Sequence, residues 1–361
     1  MTFKQILLFI LLLPVLILLS CSNNSNKTPA GYYTVRDMTG RNVNVPENVN
    51  KIIGVRAGTL RLLAYLQVTE MVVGIEEIET RRGKPYNFAF PELAELPVIG
   101  PIHGGDTELI LAQQPDVIFI SYTTQGEADE LQAKTGIPVV AIHYGDLDEN
   151  SNTFYTALRL IAQVTGREKR AEALIKYTEN IISDLNKRTH DIPREEKRPV
   201  YIGGLSYKGF HGISSTDPGY IPFRFVNALN VASSVSLVSE NVMVDKEKII
   251  EWDPEKIFID KSGYEIVKKE LEESSALTGT LKAFKNNEAY MLMPYNYYTT
   301  NYSTLLINSY YIGTVLYPDR FGDISLPEKA DEIYSTFLGA NVYDKIAEMY
   351  GEYGKWKVLH E

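Results

Sequence analysis

Two fifteen-residue segments of this chain repeat one pattern, and the repeat constrains the fold more than any other feature. Segments 106–120 and 245–259 align without gaps, with 7 of 15 positions identical. Each begins with an aspartate suited to capping a helix, and continues with a short helix, a proline that stops it and an apolar strand. Helix–proline–strand units are common, so two unrelated units could also look alike. The two segments lie on either side of a long helical stretch, however, and this arrangement favours two similar lobes.

Helices and strands alternate around both copies of the repeat. The alternation covers residues 51–142, where strands are predicted at 72–75 and 117–120. It returns in residues 199–350, with a strand predicted at 199–203, a helix at 222–229 and a last helical region at 328–350. Between these regions, apolar residues recur at three- and four-residue steps from 152 to 188, with only Gly166 weakening the middle. These patterns predict an α/β protein of two Rossmann-like lobes with parallel sheets, joined by a single long bridging α-helix, with a ligand cleft between the lobes.

The first 20 residues have the features of a secretory signal. Lys4 is followed by an apolar run from Ile6 to Leu19, and Leu18-Leu-Ser-Cys21 resembles the lipobox of bacterial lipoproteins. The resemblance implies export and a lipid anchor on Cys21, at a periplasmic or cell-surface face of a membrane; an uncleaved anchor helix is the alternative. The expected division of the chain is signal peptide 1–20, lipidated tether 21–31, N-terminal lobe 32–150, bridging helix 151–188 and C-terminal lobe 189–361.

Composition excludes several classes of function. Cys21 is the only cysteine, so the folded body has no disulfide, no thiolate metal site and no cysteine nucleophile. The formal net charge of −10, without a basic run, argues against nucleic-acid binding. The 24 tyrosines suit a recognition surface, although half-buried packing would also explain many of them.

Three stretches of the chain resemble one family of proteins. They are Val35-Arg-Asp-Met-Thr-Gly-Arg-Asn-Val43 with Pro46, then Ile99-Gly100 with Asp106-x-Glu108, and Leu316-Tyr-Pro-Asp-Arg-Phe321 near the end. In this order they resemble the substrate-binding proteins of ATP-driven importers for iron complexes and cobalamin. The resemblance implies a monomeric protein that binds its cargo in a cleft between two lobes. It would deliver the cargo to an ABC permease and its ATPase without chemical change and without a cofactor.

Candidate ligand residues follow the strands, because ligands of parallel α/β lobes gather beyond the carboxyl ends of the strands. Arginine and tyrosine suit an anionic, aromatic ferric chelate, since guanidinium pairs with its oxygens and rings stack on it. A ferric siderophore is therefore the expected cargo, with haem or cobalamin as alternatives. The candidates are Arg56, Arg81, Arg82, Tyr86, His103, Tyr122, His143, Tyr207, His211, Tyr295, Tyr297 and Tyr298. Arg81-Arg82 would also fit a solvated charge pair, and the three histidines would fit plain loop positions or direct ligands of iron.

Glu108 and Glu247 occupy the same position in the two repeats, the second residue after an aspartate. In the resembling family a glutamate at this place on each lobe pairs with arginines of the permease. The resemblance therefore implies that these two residues dock on the permease. A carboxylate in the first turn also stabilises a helix through its dipole, which would explain both residues without a partner.

Motifs of common enzymes are absent from the sequence. It contains no P-loop, no His-Glu-x-x-His and no Gly-x-Ser-x-Gly. Glu76, Glu77 and Glu79 cluster near a strand end, where they would fit acid–base catalysis or ordinary surface charge. A surface adhesin would need no cleft. The polar and aromatic loops at the strand ends favour a binding protein over both alternatives.

Overall fold

The computed structural model of the chain describes residues 28–236, 240–273 and 275–356. The predicted signal peptide and Cys21 lie outside the described residues. The first element is an antiparallel hairpin of β1 (Tyr32–Arg36) and β2 (Asn42–Pro46). The turn of this hairpin reaches the next sheet, where the Met38 N–H donates to the Ala141 carbonyl (3.0 Å) and the Ala141 N–H donates to Asp37 Oδ2 (3.2 Å).

The N-terminal lobe is built on a three-stranded parallel sheet in the order β3-β4-β5. All residues of these strands are buried, as their continuous apolar sequence requires when both faces of a sheet are covered. The strands are β3 (Ile52–Val55), β4 (Val117–Ile120) and β5 (Val139–Ala141), and the helices are α1 (Thr59–Tyr65), α2 (Pro85–Ala89), α3 (Thr107–Ala112) and α4 (Gln125–Thr135).

The strand predicted at 72–75 is wrong. Val72 forms an isolated bridge with Ile52, whereas Ile75 pairs with Val98 on the other side. The segment changes partners within four residues, so it never forms a continuous ladder with either neighbour.

The helical stretch at 151–188 consists of two helices, so the prediction of a single long helix is wrong. α5 (Ser151–Thr165) ends at Gly166, whose φ of 68° is left-handed, and α6 (Glu168–Thr189) begins two residues later. Glycine adopts this conformation without steric cost and commonly ends helices. The apolar periodicity crosses the break because α5 and α6 pack against each other. α6 also packs against two helices of the C-terminal lobe, Ile221–Phe225 and Tyr302–Leu316.

The C-terminal lobe contains a five-stranded sheet in the order β12-β11-β10-β6-β8, parallel except for β12. Its strands, including a separate β7–β9 pair, are β6 (Pro199–Gly203), β7 (Ser215–Thr216), β8 (Leu229–Asn230), β9 (Val242–Met243), β10 (Lys256–Asp260), β11 (Ala289–Leu292) and β12 (Gly354–Lys355). Its helices are α7 (Ile221–Phe225), α8 (Lys246–Trp252), α9 (Tyr264–Glu273), α10 (Ser275–Thr280), α11 (Lys282–Lys285), α12 (Tyr302–Leu316), α13 (Leu326–Leu338) and α14 (Tyr343–Tyr350).

The repeat seen in the sequence forms the same unit in both lobes. α3 leads into β4, and α8 leads into β10, with Asp106 and Asp245 at the two N-cap positions. Only Asp106 caps with its side chain, which accepts from the N–H groups of Glu108 and Leu109. Because the chain must return to the amino end of the sheet before each parallel strand, we expect the first turns of both helices toward the carboxyl ends of the strands.

One apolar core runs through both lobes. α12 is buried from Tyr302 to Gly313, and the ring of Tyr65 in α1 lies 4.9 Å from the ring of Phe337 in α13. The two parallel sheets and their covering helices confirm the predicted α/β class. None of the helices in the described ranges is long and apolar enough to cross a membrane.

Candidate functional site

The loop between β11 and α12 lies between the two lobes. We call residues 295–300 the crossing loop. Its backbone folds back on itself through a bridge between Asn296 and Thr300, and Tyr298 and Thr299 both have left-handed φ angles, of 51° and 67°. The loop follows the carboxyl end of β11, which is the edge where ligands of parallel sheets bind.

Arg61 holds the crossing loop against the N-terminal lobe. One terminal nitrogen donates to the Tyr144 hydroxyl (2.9 Å) and the Thr300 carbonyl (3.0 Å), and the other donates to the Tyr297 carbonyl (2.7 Å). Arg61 is fully buried in α1, a helix whose residues are all buried. Its positive charge therefore serves the position of the loop. Arg61 does not follow a strand, so the strand-end pattern does not mark it; its position inside the apolar run 60–66 does indicate burial.

Glu76 ties the same loop to two other segments. Its carboxylate accepts from the Tyr298 hydroxyl (2.8 Å), the Gly104 N–H (2.7 Å) and the Arg56 N–H (3.0 Å). Burial raises the pKa of Glu76, and these three donors oppose that rise by stabilising the carboxylate. Surface charge does not explain this residue, which is only 1% exposed.

A second buried carboxylate lies close by. Glu79 Oε2 is 3.2 Å from Lys84 Nζ and accepts from the Tyr86 hydroxyl at 2.6 Å. Lys84 Nζ also lies 4.9 Å from the ring centre of Tyr297 in the crossing loop. Because Tyr86 is buried and its hydroxyl is bonded to Glu79, the arrangement leaves it no contact with a cargo.

Arg56 already has an anionic partner. Its guanidinium donates to Glu127, with Nη2 3.1 Å from Oε1, and to the Tyr122 carbonyl at 2.6 Å. The hydrogen bond from Arg56 and that from the Thr124 N–H lower the pKa of Glu127 to about 2. Glu127 thus offsets most of the charge that Arg56 would offer to an anion.

Four of the candidate ligand residues come together on the N-terminal side of the crossing loop. The His103 ring lies 5.9 Å from the ring of Tyr298, and the Tyr122 hydroxyl is 2.7 Å from Thr299 Oγ1. Arg56 joins them through the Tyr122 carbonyl and through Glu76. This group presents phenol, imidazole and guanidinium groups at one place.

A cavity of about 240 Å³ lies on the other side of the crossing loop. Tyr207 and Tyr295 line it, and the His211 ring hydrogen-bonds to the Tyr207 carbonyl at 2.8 Å. The full lining is Asp146, Leu205, Ser206, Tyr207, Asp217, Ile221, Glu240, Asn241, Asp260, Tyr295, Asn296, Thr300, Tyr302 and Leu305. Three further candidates therefore lie around this cavity.

Of the remaining candidates, Tyr297 lies in the crossing loop itself, and Arg81, Arg82 and His143 lie apart from both groups. Arg81 and Arg82 are exposed, and Arg81 Nη2 lies 3.9 Å from Glu77 on the same turn. His143 is half-buried beside the β1–β2 turn. Its backbone N–H lies 3.2 Å from Met38 Sδ. Tyr297 bonds to Arg61 through its carbonyl. The three arginines selected from the sequence do not form a single cationic cluster.

The buried carboxyl group of Asp260 should make the free energy of unfolding decrease as pH rises. Burial raises its pKa to about 7 from the 3.8 of a free side chain, while bonds from Ser262 oppose the rise. The folded state therefore holds a proton that the unfolded state releases, so this contribution is complete below pH 4 and is lost as pH approaches 7. Asp260→Asn should remove that loss and stabilise the protein at pH 7.5, relative to pH 4.5, by on the order of 3 kcal/mol.

Urea unfolding at the two pH values measures this difference. Asp319→Asn, which changes an exposed aspartate, should leave the pH dependence of wild type unchanged. Equal pH dependence in wild type and Asp260→Asn would contradict the assignment to Asp260.

Comparisons with known proteins agree with this fold. The family model described as periplasmic binding protein matches residues 52–295. The molybdate-binding protein MolA of Haemophilus influenzae is 24% identical over 323 residues, covering 84% of this chain and 90% of MolA. The uncharacterised ABC transporter substrate-binding lipoprotein YvrC of Bacillus subtilis is 20% identical, covering 86% of this chain and 96% of YvrC.

Solved structures give the same result. MolA bound to molybdate superposes with a TM-score of 0.67 at 21% identity, covering 86% of this chain and 98% of MolA. The heme-binding protein HmuT superposes with a TM-score of 0.55 at 17% identity, covering 80% of this chain and 91% of HmuT. These proteins are binders and not enzymes, which confirms that part of the prediction. The match over residues 52–295 shows that this chain belongs to the periplasmic binding protein family, the solute-binding components of ABC transporters.

Proposed function

We propose that this protein captures a ferric complex at the crossing loop and delivers it to the permease of an ABC importer. The main support is a set of exposed aromatic side chains on loops of both lobes. Tyr122 is 56% exposed, Tyr207 is 49% exposed and Phe210 is 64% exposed. Exposed aromatic groups beside a polar cavity mark a binding surface for a ligand with flat or apolar parts.

The size of the cavity bears on how such a cargo would bind. A volume of about 240 Å³ is smaller than most pockets that enclose a whole ligand. A chelate would place one part in the cavity and pack its remaining surface against the exposed rings. On the N-terminal side, Arg56 and the ring of His103 would supply hydrogen bonds to oxygen atoms of the chelate.

Molybdate is a second candidate, because MolA resembles this chain over most of its length. A bare oxyanion would use Arg56 and His103 and would gain nothing from the exposed rings. The carboxylates of the cavity would repel it. Haem and cobalamin remain alternatives for the aromatic surface, and HmuT supports haem among them.

Thermal unfolding of the purified protein with each cargo tests the proposal. A ferric trihydroxamate, a ferric catecholate, haem, cobalamin and molybdate are compared at equal concentration. The cargo should stabilise the protein by about 4 kcal/mol at a thousandfold excess over its dissociation constant. Stabilisation by a ferric complex, with none by molybdate, is the expected result. Stabilisation by molybdate alone would overturn the ferric assignment.

Two further proposals concern the route of delivery. Anchoring through Cys21 would keep the protein at the membrane that contains the permease. Glu108 and Glu247 are both exposed in first turns of helices at the carboxyl edge of the sheets. Exposed apolar side chains lie near them, Leu109 and Leu111 in one lobe and Met243 in the other. Charge flanked by apolar surface suits docking on a partner protein.

A further inference from the structure

The guanidinium of Arg56 is bound at two points by a carboxylate of its own lobe. Nη1 and Nη2 donate to different oxygens of Glu127, at 3.3 Å and 3.1 Å, and Nη1 also donates to the Tyr122 carbonyl at 2.6 Å. A bidentate pair of this kind fixes the geometry of both partners as well as offsetting their charges. The two residues are 71 positions apart, so the pair depends on the folded lobe.

Glu127 is also held in place without Arg56. Its Oε2 accepts from the Thr124 N–H at 2.9 Å and from the Thr124 hydroxyl at 3.2 Å, as part of a capping box at the start of α4. Most exposed ion pairs contribute little, because two mobile side chains must be ordered to form them. Here the cap orders the glutamate and the Tyr122 carbonyl orders the arginine. The carboxylate is therefore preorganised at the guanidinium.

The surroundings of Arg56 carry an excess of negative charge. Glu76 accepts from the backbone N–H of Arg56 at 3.0 Å, so two carboxylates adjoin one guanidinium. Arg61 and Lys84 also contact the crossing loop, but both are buried. Arg61 donates to backbone carbonyls, and Lys84 is paired with a glutamate. An anion on this side of the loop would meet repulsion that one guanidinium does not offset.

Arg56 still has hydrogen bonds to offer to an uncharged acceptor. Arginine carries five N–H donors, and three hydrogen bonds of this side chain go to Glu127 and to the Tyr122 carbonyl. Nε has no partner among the described residues, and the side chain is 20% exposed. A carbonyl oxygen can accept from a remaining donor while Glu127 stays in place. An oxyanion that needs both terminal nitrogens has to displace Glu127.

We infer that Glu127 selects cargo by charge, because it occupies Arg56 and so excludes oxyanions while uncharged oxygen acceptors can still bind. The inference rests on the proposed function, since it concerns which complexes the same site accepts. A tethered ligand competes at an effective concentration of about millimolar. A free oxyanion has to exceed that concentration, or bind more strongly than a carboxylate, to take the guanidinium.

Calorimetric titration of the purified protein with molybdate tests this role. Glu127→Gln keeps an acceptor for the Thr124 N–H and removes the charge, so it should bind molybdate at least about tenfold more tightly than wild type. Adding Arg56→Gln to that variant should abolish the gain. Glu130→Gln is the matched control with wild-type affinity, because it removes a carboxylate of the same helix that is paired with Lys134.

Three results would overturn the inference: no gain in Glu127→Gln, an equal gain in Glu130→Gln, or a gain that survives Arg56→Gln. Urea unfolding of each variant checks that the cap is not essential for folding. If Glu127→Gln does not unfold cooperatively, Glu127→Asp replaces it, since aspartate keeps a carboxylate in the first turn but is one methylene shorter. That variant should bind molybdate about threefold more tightly than wild type. Affinity equal to that of wild type would then overturn the inference.

Two ferric probes separate this inference from the ferric proposal. They are an uncharged ferric trihydroxamate and a derivative that carries a carboxylate on one arm. Wild type should bind the uncharged complex at least about threefold more tightly, and Glu127→Gln should reduce that preference. Equal or tighter binding of the carboxylate derivative by wild type would overturn charge selection and leave the ferric proposal standing. If neither complex binds, the ferric cargo is overturned, and the molybdate titration still decides the role of Glu127.

Discussion

Arg61→Ala should lower the free energy of unfolding by about 3–5 kcal/mol, because it leaves a cavity in a buried helix and removes the donor from several hydrogen bonds. The guanidinium is the donor for four groups, the carbonyls of Tyr297, Tyr298 and Thr300 and the hydroxyl of Tyr144. The arginine also fills space inside a helix that is buried along its whole length. Truncation therefore combines lost hydrogen bonds with a cavity.

The same substitution should weaken cargo binding at least about tenfold, since the crossing loop loses its attachment to the N-terminal lobe. Urea unfolding measures the stability, and hydrogen exchange of the backbone N–H groups of 297–301 measures the loop. Arg36→Ala, at an exposed position of β1, is the control and should change neither quantity. Arg61→Ala with the stability and exchange rates of Arg36→Ala would show that the loop does not depend on Arg61.

Reversing charge at both Glu108 and Glu247 should abolish delivery while cargo affinity stays normal. If each glutamate meets an arginine of the permease, each reversal replaces attraction with repulsion, and a desolvated pair costs 2–5 kcal/mol to break. Docking of Glu108→Arg with Glu247→Arg should then weaken roughly a thousandfold or more. Uptake of labelled cargo by cells, compared with calorimetry on the purified variant, separates delivery from capture.

The helix dipole supplies the competing explanation, and the chain offers a control for it. Glu168 and Glu328 are exposed first-turn glutamates of α6 and α13. Glu168→Arg with Glu328→Arg loses the same dipole interaction, about 0.3–1 kcal/mol at each helix, and should transport normally. Uptake at the wild-type rate by the Glu108 and Glu247 double reversal would leave those two residues with the dipole role alone.

Features of the fold that depend on local periodicity were predictable from the sequence. β4 and β6 have the predicted bounds, and the repeated helix–strand unit forms in both lobes. The apolar periodicity did not predict where helices end, because the spacing of apolar residues continues across the turn. Gly166 ends α5, and Gly339 (φ 74°) divides the predicted helical region 328–350 into α13 and α14. The helix predicted at 222–229 ends at Phe225, because Leu229 and Asn230 pair with β6.

The site was less predictable, because its electrostatics depend on pairings between segments far apart in the chain. Several arginines and tyrosines at the strand ends do lie beside the crossing loop or line the cavity. The sequence does not reveal that Glu127 neutralises Arg56, a contact across 71 positions. The sequence also does not show that Glu76 is buried while its neighbour Glu77 is exposed. Glu76 is bonded to Tyr298, 222 positions away. Burial decides those roles, and burial follows from the assembled lobes.

The turn of the β1–β2 hairpin has a consequence for self-association. β5 is an edge strand, and an open edge of backbone N–H and carbonyl groups is a template on which a second chain can add a strand. On that edge, the Ala141 carbonyl accepts from the Met38 N–H, and the Ala141 N–H donates to the Asp37 carboxylate. On the opposite edge, the Val73 N–H bonds to the Ile52 carbonyl of β3. Short segments of the same chain thus occupy hydrogen-bonding positions at both edges of the sheet. They oppose the addition of a strand from a second copy of the protein.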